Sequence, residues 1–199
     1  MRKPFETRLS NPFSAERIRP GQLQFRFSFA ANANAPKSIA SNCDSLLAAM
    51  KNQSRSLIVG AHGTGKSTLL GTLLPKLQQS YAKVAMHRLS ADPTLGFVRR
   101  IRQQWQTGRR VIGEWNALPS GGLLVVAGWE QLPPSAKWRL SRLTPSKGVS
   151  LLATNHRPIA GWETLYQTRA HKRLARVLAN ELLLDTPHEI RELVSANIM

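Results

Sequence analysis

Residues 60–68 carry the feature that most constrains the fold of this chain. They read Gly60-Ala61-His62-Gly63-Thr64-Gly65-Lys66-Ser67-Thr68 and match the pattern G-x-x-x-x-G-K-[ST] throughout. In this pattern, the Walker A motif or phosphate-binding loop, glycines let the backbone turn so that successive N–H groups surround phosphates. Lys66 is expected to reach the β- and γ-phosphates, and Ser67 to offer its hydroxyl to Mg²⁺. The motif therefore predicts a nucleotide site formed by all nine residues.

The segments on either side of the loop agree with this interpretation. Residues 57–59 form a short apolar run that is typical of a buried strand, and residues 67–70 begin a helical pattern. The N-terminus of a helix adds its dipole to the binding of an anion. The alternative is a turn rich in glycine and serine that binds nothing.

The charge of the chain is the second strong signal. Its 199 residues contain 28 lysines and arginines against 11 acidic residues, which gives a formal net charge of +17. Such an excess attracts polyanions, which include nucleic acid, an anionic membrane and the nucleotide itself. The alternative is a basic surface that contacts only solvent.

Composition also limits the number of domains and the cellular compartment that we expect. A chain of this length is expected to form one α/β domain with a real core. The longest strongly apolar stretch, Leu123 to Ala127, is far too short for a membrane span, and no apolar segment follows the basic N-terminus. The single cysteine, Cys43, cannot form an internal disulfide and fits a reducing compartment. We therefore expect a cytoplasmic protein without a membrane span.

Predicted strands and helices alternate along the chain, which favours a mostly parallel sheet covered by helices. The predicted strands are residues 23–29, 56–60, 83–89, 123–127 and 148–154. The predicted helices are residues 39–51, 67–79, a segment that begins at 97, 133–143 and most of 161–197. Pro75 is expected to kink or shorten its helix. This pattern divides the chain into an N-terminal arm, strand and helix packed on the core (1–54) and a nucleotide-binding domain with a helical C-terminus (55–199).

The acidic residue that normally accompanies a phosphate-binding loop is missing. In such proteins a second strand ends in a carboxylate that helps to hold Mg²⁺. Here the strand 123–126 is followed by Ala127, and the first acid is Glu130. Three explanations stay open: Glu130 bends back to position the metal or water, the chain hydrolyses nucleotide poorly or not at all, or Asp92 serves instead. Slow chemistry is the expectation in each case, because the cation has lost one anchor.

Polar residues follow the predicted strand 148–154. Thr154 and Asn155 would face the crevice where open α/β sheets bind ligands, and either can orient the attacking water near the γ-phosphate. A polar turn stopped by Pro158 is the alternative. The next residue, His156, could contact phosphate, but a histidine in a loop is more often exposed, and we expect an exposed side chain.

A cluster of arginines surrounds one tryptophan. Its members are Arg99, Arg100, Arg102, Trp105, Arg109 and Arg110. Basic residues interleaved with an aromatic suit phosphate contact together with base stacking. The alternatives are a solvated helix face with a tryptophan in the core, or a lid that closes over the nucleotide.

Three segments, Gly60–Thr68, Leu123–Glu130 and Leu151–Asn155, together resemble the P-loop NTPases of the additional-strand, AAA+-like type. The pair Thr154-Asn155 is similar to the sensor residues of that family. The resemblance covers about residues 55–170 and extends to small uncharacterised bacterial P-loop ATP-binding proteins. It implies a three-layer α/β P-loop NTPase fold with a mostly parallel central sheet, the cofactors ATP and Mg²⁺, and a sensor role for Thr154 or Asn155. Together with the loop motif and the first of the three explanations above, the candidate catalytic residues are Lys66, Glu130 and Asn155. The candidate metal ligands are Ser67 and Glu130.

These observations favour an ATP-binding protein that is a weak ATPase or a nucleotide-dependent switch acting on a protein partner. The chain lacks the Asn-Lys-x-Asp motif typical of GTPases, which favours ATP. A small P-loop kinase with an acceptor pocket among Arg99–Arg110 is one alternative. A nucleic-acid-binding module regulated by nucleotide is another.

Overall fold

The structure of the protein is a computed structural model that describes residue 25 and residues 42–90, 96–143 and 147–169. The predicted strand at 23–29, apart from Phe25, lies outside these residues, as do Asp92 and the segment after 169. The division into an arm and a nucleotide-binding domain stays a prediction.

Five strands form one sheet in which every neighbouring pair is parallel. They are β1 (Arg55–Val59), β2 (Val84–Arg88), β3 (Leu123–Ala127), β4 (Ser150–Asn155) and β5 (Glu163–Gln167). Their order across the sheet is β2-β3-β4-β1-β5. Strand β4 therefore lies between β1 and β3, as expected of an additional strand.

Helices connect β1 to β2, β2 to β3 and β3 to β4, whereas residues 156–162 join β4 to β5 without a helix. Within the described ranges the helices are α1 (Cys43–Lys51), α2 (Lys66–Ser80), α3 (Phe97–Ala117) and α4 (Pro134–Leu143), and a 3-10 turn lies at Trp129–Gln131. Helix α1 begins at Asn42, whose side chain accepts a hydrogen bond from the Ser45 backbone N–H in a capping box. Helix α2 continues past Pro75 to Ser80, so this proline does not shorten the helix, and a kink at Pro75 stays a prediction.

The core lies on both faces of the sheet. Consecutive strand residues alternate between two clusters: Leu57 packs with Trp115 of α3, whereas Ile58 packs with Leu69 of α2. Helices α1 and α2 cover one face, and α3 and α4 cover the other. Because side chains of a strand point to opposite faces in turn, strands covered on both sides are apolar throughout. The three-layer α/β P-loop NTPase fold with a parallel central sheet is confirmed.

The prediction of helix from residue 161 onwards was wrong for its first part. Residues Glu163–Gln167 form β5, which pairs with β1 at the edge of the sheet. Leu165 and Tyr166 are buried there, and Tyr166 packs in the cluster under α1 and α2. None of the helices within the described ranges is long and apolar enough to cross a membrane.

Candidate nucleotide-binding site

The loop between β1 and α2 has the geometry that its glycines predict. Gly63 and Gly65 have φ angles of 72° and 90°, which are left-handed values that favour glycine. The Lys66 ammonium donates hydrogen bonds of 2.7 Å to the carbonyls of Gly60 and Ala61. The lysine is also the first residue of the 15-residue helix α2. A cation and a helix N-terminus thus lie together within the loop.

Gly60 is required for a different reason, which is close packing. A Cβ atom on Gly60 would lie 2.0 Å from Oγ1 of Thr168, the residue that follows β5. The Thr168 hydroxyl is 2.6 Å from that of Thr64, and its backbone N–H donates to the carbonyl of Val59. The start of the loop is therefore fixed against the end of β5. The sequence offered no signal for Thr168, because its segment was predicted to be helical.

A cleft of about 370 Å³ opens beside the loop, at the carboxyl ends of the strands. It is lined by residues 62–68 and by Arg88, Leu89, Ala127, Gly128, Glu130, Thr154 and His156. This is the position where open parallel sheets bind their ligands. The cleft thus brings together the motif and the two other segments that carry the resemblance.

Glu130 lies in the wall of this cleft. Gly128, with a φ of 92°, turns the chain after β3 so that the 3-10 turn carries Glu130 back towards the loop. Burial lowers the pKa of the Lys66 ammonium, and the Glu130 carboxylate raises it in part. The loop cation and Glu130 therefore interact electrostatically. A role of Glu130 in holding metal or water stays a prediction.

The position at the end of β3 carries no charge. Ala127 is only 9% exposed, and its carbonyl accepts a hydrogen bond of 2.8 Å from the backbone N–H of Leu89. Its methyl group lines the cleft where a carboxylate is normally found.

The last two residues of β4 and the residue that follows it place their polar side chains differently. Thr154 lines the cleft and accepts a hydrogen bond of 2.9 Å from the Gly128 N–H. Asn155 does not line the cleft, and its side-chain amide donates to the carbonyl of Arg157. His156 lies in the cleft and is half-buried, contrary to the expectation of an exposed histidine. Its Nδ1 atom lies 3.1 Å from the Gly60 carbonyl, and its ring packs on that of His62.

The residues present fit a nucleotide with its metal. The loop offers a cation, two left-handed glycines and a helix N-terminus to phosphates. Within the ranges that the structure describes, no group of three or more acidic, histidine or cysteine side chains could hold a metal ion by itself. Mg²⁺ in nucleotide sites needs only one or two protein ligands, because phosphates and water supply the rest. The Ser67 hydroxyl and the Glu130 carboxylate both border the cleft and suit that role.

The arginine cluster lies on α3. Arg99, Arg100, Arg102, Arg109 and Arg110 are all exposed. Trp105 is 54% exposed, so the alternative that placed this tryptophan in the core was wrong. Arg100 lines a second, smaller pocket of about 160 Å³ that shares Arg88 and Leu89 with the nucleotide cleft.

Comparison with known proteins gives distant likenesses only. No family model and no curated protein matches the chain. A solved structure of a DNA replication initiation factor matches with a TM-score of 0.48 at 17% identity, covering 75% of this chain and 53% of that one. C. elegans PCH-2 matches at 0.38 and 17% over 64% and 39% of the two chains, and Rhizobiales Trip13 at 0.39 and 14% over 75% and 64%. The chain thus spans 39% to 64% of these proteins, and the likenesses do not indicate what it binds or does.

Proposed function

We propose that this chain binds ATP with Mg²⁺ at residues 60–68 and acts as a slow ATPase or a nucleotide-dependent switch of AAA+-like type. One observation carries the proposal. The Lys66 ammonium is held by two carbonyls of its own loop, at the N-terminus of α2 and in an open cleft. A polyphosphate would offer this cation and the surrounding backbone N–H groups the negative charge that they lack.

Slow hydrolysis follows from the acidic side of the site. Ala127 supplies no carboxylate to the metal, and Glu130 is the acid that the described residues contribute to the cleft. One oxygen of Glu130 lies 3.2 Å from His156 Nε2, so a protonated imidazole would compete with the metal for this carboxylate. A weakly anchored cation stabilises less of the charge that develops during phosphoryl transfer, and turnover is slow.

The shape of the cleft supports a switch. Glu130, Thr154 and His156 border the cleft together with the loop, where a γ-phosphate would contact them and the shorter ADP would not. A ligand shifts a conformational equilibrium only through contacts that differ between the two states. ATP and ADP would therefore stabilise different arrangements of the 3-10 turn and of the loop that follows β4. A protein partner that binds one of the two arrangements would respond to which nucleotide is bound.

The test is a titration of purified full-length protein with ATP, ADP and GTP, with and without Mg²⁺. The variant is Lys66→Ala, and the matched control is Lys76→Ala. Lys76 lies on the same helix, but its ammonium pairs with Asp44 at the surface. We expect Lys66→Ala to weaken ATP binding by about tenfold or more, or about 1.4 kcal/mol, and Lys76→Ala to bind as the wild type does. Equal affinities of the two variants for ATP would disprove the assignment of the loop.

A second candidate function, phosphoryl transfer to a small acceptor, is favoured by the pocket beside the cleft. It is lined by Arg88, Leu89, Ser90, Arg100, Gln103, Gln104, Thr107 and Gln131. Among the described residues, two arginines, three amides and no acid form a surface that suits a polar or anionic acceptor next to the phosphates. Incubation with γ-labelled ATP and a panel of nucleosides and nucleotides tests it. Label that appears only in inorganic phosphate would exclude the kinase and keep the ATPase.

A further inference from the structure

Two of the five tryptophans lie on the surface of neighbouring helices. Trp105 of α3 and Trp138 of α4 are 54% and 63% exposed, whereas Trp115, Trp129 and Trp162 are each less than 10% exposed. Exposure of a large aromatic side chain to water is unfavourable, so an exposed pair on adjacent helices indicates an interaction surface. We propose that the exposed faces of α3 and α4 bind single-stranded nucleic acid, with both indoles stacking on bases.

Each exposed indole has arginines at helical spacing. Arg102 lies three residues before Trp105 and Arg109 four residues after it, which places one arginine a turn away on either side. The guanidinium carbon of Arg142 lies 5.5 Å from the ring centroid of Trp138. A cation beside an aromatic face is the arrangement that holds a phosphate while the adjacent base stacks on the ring.

The charge of the two helices is strongly one-sided. Helices α3 and α4 contain five and three basic residues respectively, against the single acid Glu114. His87 Nε2 lies 2.9 Å from one oxygen of Glu114, and Arg110 Nε lies 4.0 Å from the other. Arg99 and Arg100 lie in the first turn of α3, where the helix dipole disfavours cations. Phosphates along the bound strand would relieve this repulsion.

The two helices contact each other. They pack through Gly108, where an added Cβ would lie 2.6 Å from the Pro133 ring and 3.3 Å from Ala136. Trp105 is three residues from Gly108, and Trp138 is two residues from Ala136. Along the helix axes, both indoles therefore lie within about one helical turn of the helix contact. The proposal requires that one bound strand reach both indoles.

The stacking requirement selects a single strand as the ligand. In a duplex the base faces are already stacked and unavailable to an indole, while an acidic peptide would satisfy the arginines but offer no flat aromatic partner. Neither tryptophan borders the nucleotide cleft. Binding of the strand is therefore expected without ATP and independently of Lys66.

The test measures binding of a fluorescent oligothymidylate to the full chain, without nucleotide, at several salt concentrations. The single variants Trp105→Leu and Trp138→Leu keep an apolar side chain but lose the stacking face. We expect each to weaken binding roughly five- to 150-fold, as for loss of one stacked base, with no change in the unfolding temperature. A duplex carrying the same number of phosphates should bind more weakly than the single strand.

Salt dependence tests the arginines with a charge-matched control. Arg102→Ala/Arg109→Ala should reduce the log–log salt slope by about 1.4, because each phosphate contact on a single strand contributes about 0.7. Lys51→Ala/Lys83→Ala removes the same charge at exposed positions outside α3 and α4 and should leave the slope unchanged. Lys66→Ala should bind the oligonucleotide as the wild type does, so this proposal is tested independently of the proposed ATP site.

Four outcomes would overturn the proposal. They are no binding at low salt, unchanged affinity of both tryptophan variants, equal slopes for the two double variants, and loss of oligonucleotide binding in Lys66→Ala. Displacement of the oligonucleotide by polyglutamate of equal charge, at equal concentration, would also overturn it. That result would identify α3 and α4 as a docking surface for an acidic protein segment.

Discussion

His156 Nε2 lies 3.2 Å from Oε1 of Glu130, while Nδ1 of the same ring lies 3.1 Å from the carbonyl of Gly60. Because a carbonyl only accepts hydrogen bonds, Nδ1 carries the hydrogen in that contact. The other nitrogen faces the carboxylate and donates to it only when the ring carries both protons. A doubly protonated imidazole would therefore connect the first glycine of the phosphate-binding loop to the acid of the cleft.

The first prediction concerns this connection. Removing the ring with His156→Ala frees the Glu130 carboxylate to approach the metal or the attacking water. We expect Mg²⁺-dependent phosphate release to rise about threefold to tenfold, with ATP affinity changed by less than about threefold. Glu130→Gln should abolish hydrolysis, and the double variant should lose the gain. A lower rate in His156→Ala would show that the imidazole itself assists turnover.

The second prediction concerns the end of β3. Ala127→Asp places a carboxylate where related sites hold the metal, and we expect it to raise Mg²⁺-dependent hydrolysis about tenfold or more. Ala127 is buried, so the new charge should lower the unfolding temperature of the free protein. Binding of Mg²⁺ and ATP should restore part of this loss. Ala127→Asn is the control of equal size without charge. If both variants turn over ATP like the wild type, this position lies outside the metal site.

The sequence predicted those parts of the site that depend on residues close together in the chain. The loop could be recognised because its glycines, Lys66 and Ser67 are contiguous, and the strands β1 and β3 because their apolar runs are short and uninterrupted. The sequence left a metal-site role of Glu130 as one of three alternatives. It could not decide between them, since the approach of Glu130 to the loop depends on the left-handed turn at Gly128.

The parts that the sequence missed depend on contacts between distant residues. Strand β5 has a mixed polar and apolar pattern, and it is a strand because β1 offers it a free edge. Thr168 packs on Gly60 across more than a hundred residues of sequence. The exposure of Trp105 likewise follows from how α3 meets the sheet, since the described side chains of α3 that pack in the core belong to its later turns, Val111 and Trp115. Periodicity alone cannot supply such information.

The third prediction tests the packing of the loop against Thr168. Gly60→Ala forces a methyl group into space held by the Thr168 hydroxyl and backbone carbonyl, 2.0 Å and 2.8 Å away. We expect a loss of about 1–3 kcal/mol in the free energy of unfolding and weaker ATP binding. Gly113→Ala is the control, because this helical glycine has nothing within 4 Å of a new Cβ. It should instead stabilise the protein by about 0.5–1 kcal/mol. Denaturant titration measures both changes, and equal stabilities of the two variants would contradict the packing argument.

The last prediction concerns pH and Lys66. Burial lowers the pKa of this ammonium and Glu130 raises it in part, so in the free protein the loop loses its charge at a lower pH than an ordinary lysine would. ATP binding needs the charged form. We therefore expect ATP affinity to fall above the lowered pKa, by at most about tenfold per pH unit, since one proton is involved.

The same shift affects stability in the opposite direction. Between the lowered pKa and the ordinary value for lysine, the unfolded chain binds more protons at this position than the folded one. The contribution of Lys66 to the free energy of unfolding therefore rises with pH across this window, while ATP affinity falls. Other lysines titrate as well, so each quantity is taken as the difference between wild type and Lys66→Ala. A wild-type affinity that stays constant up to the titration range of ordinary lysines would show that the ammonium is not desolvated in the loop.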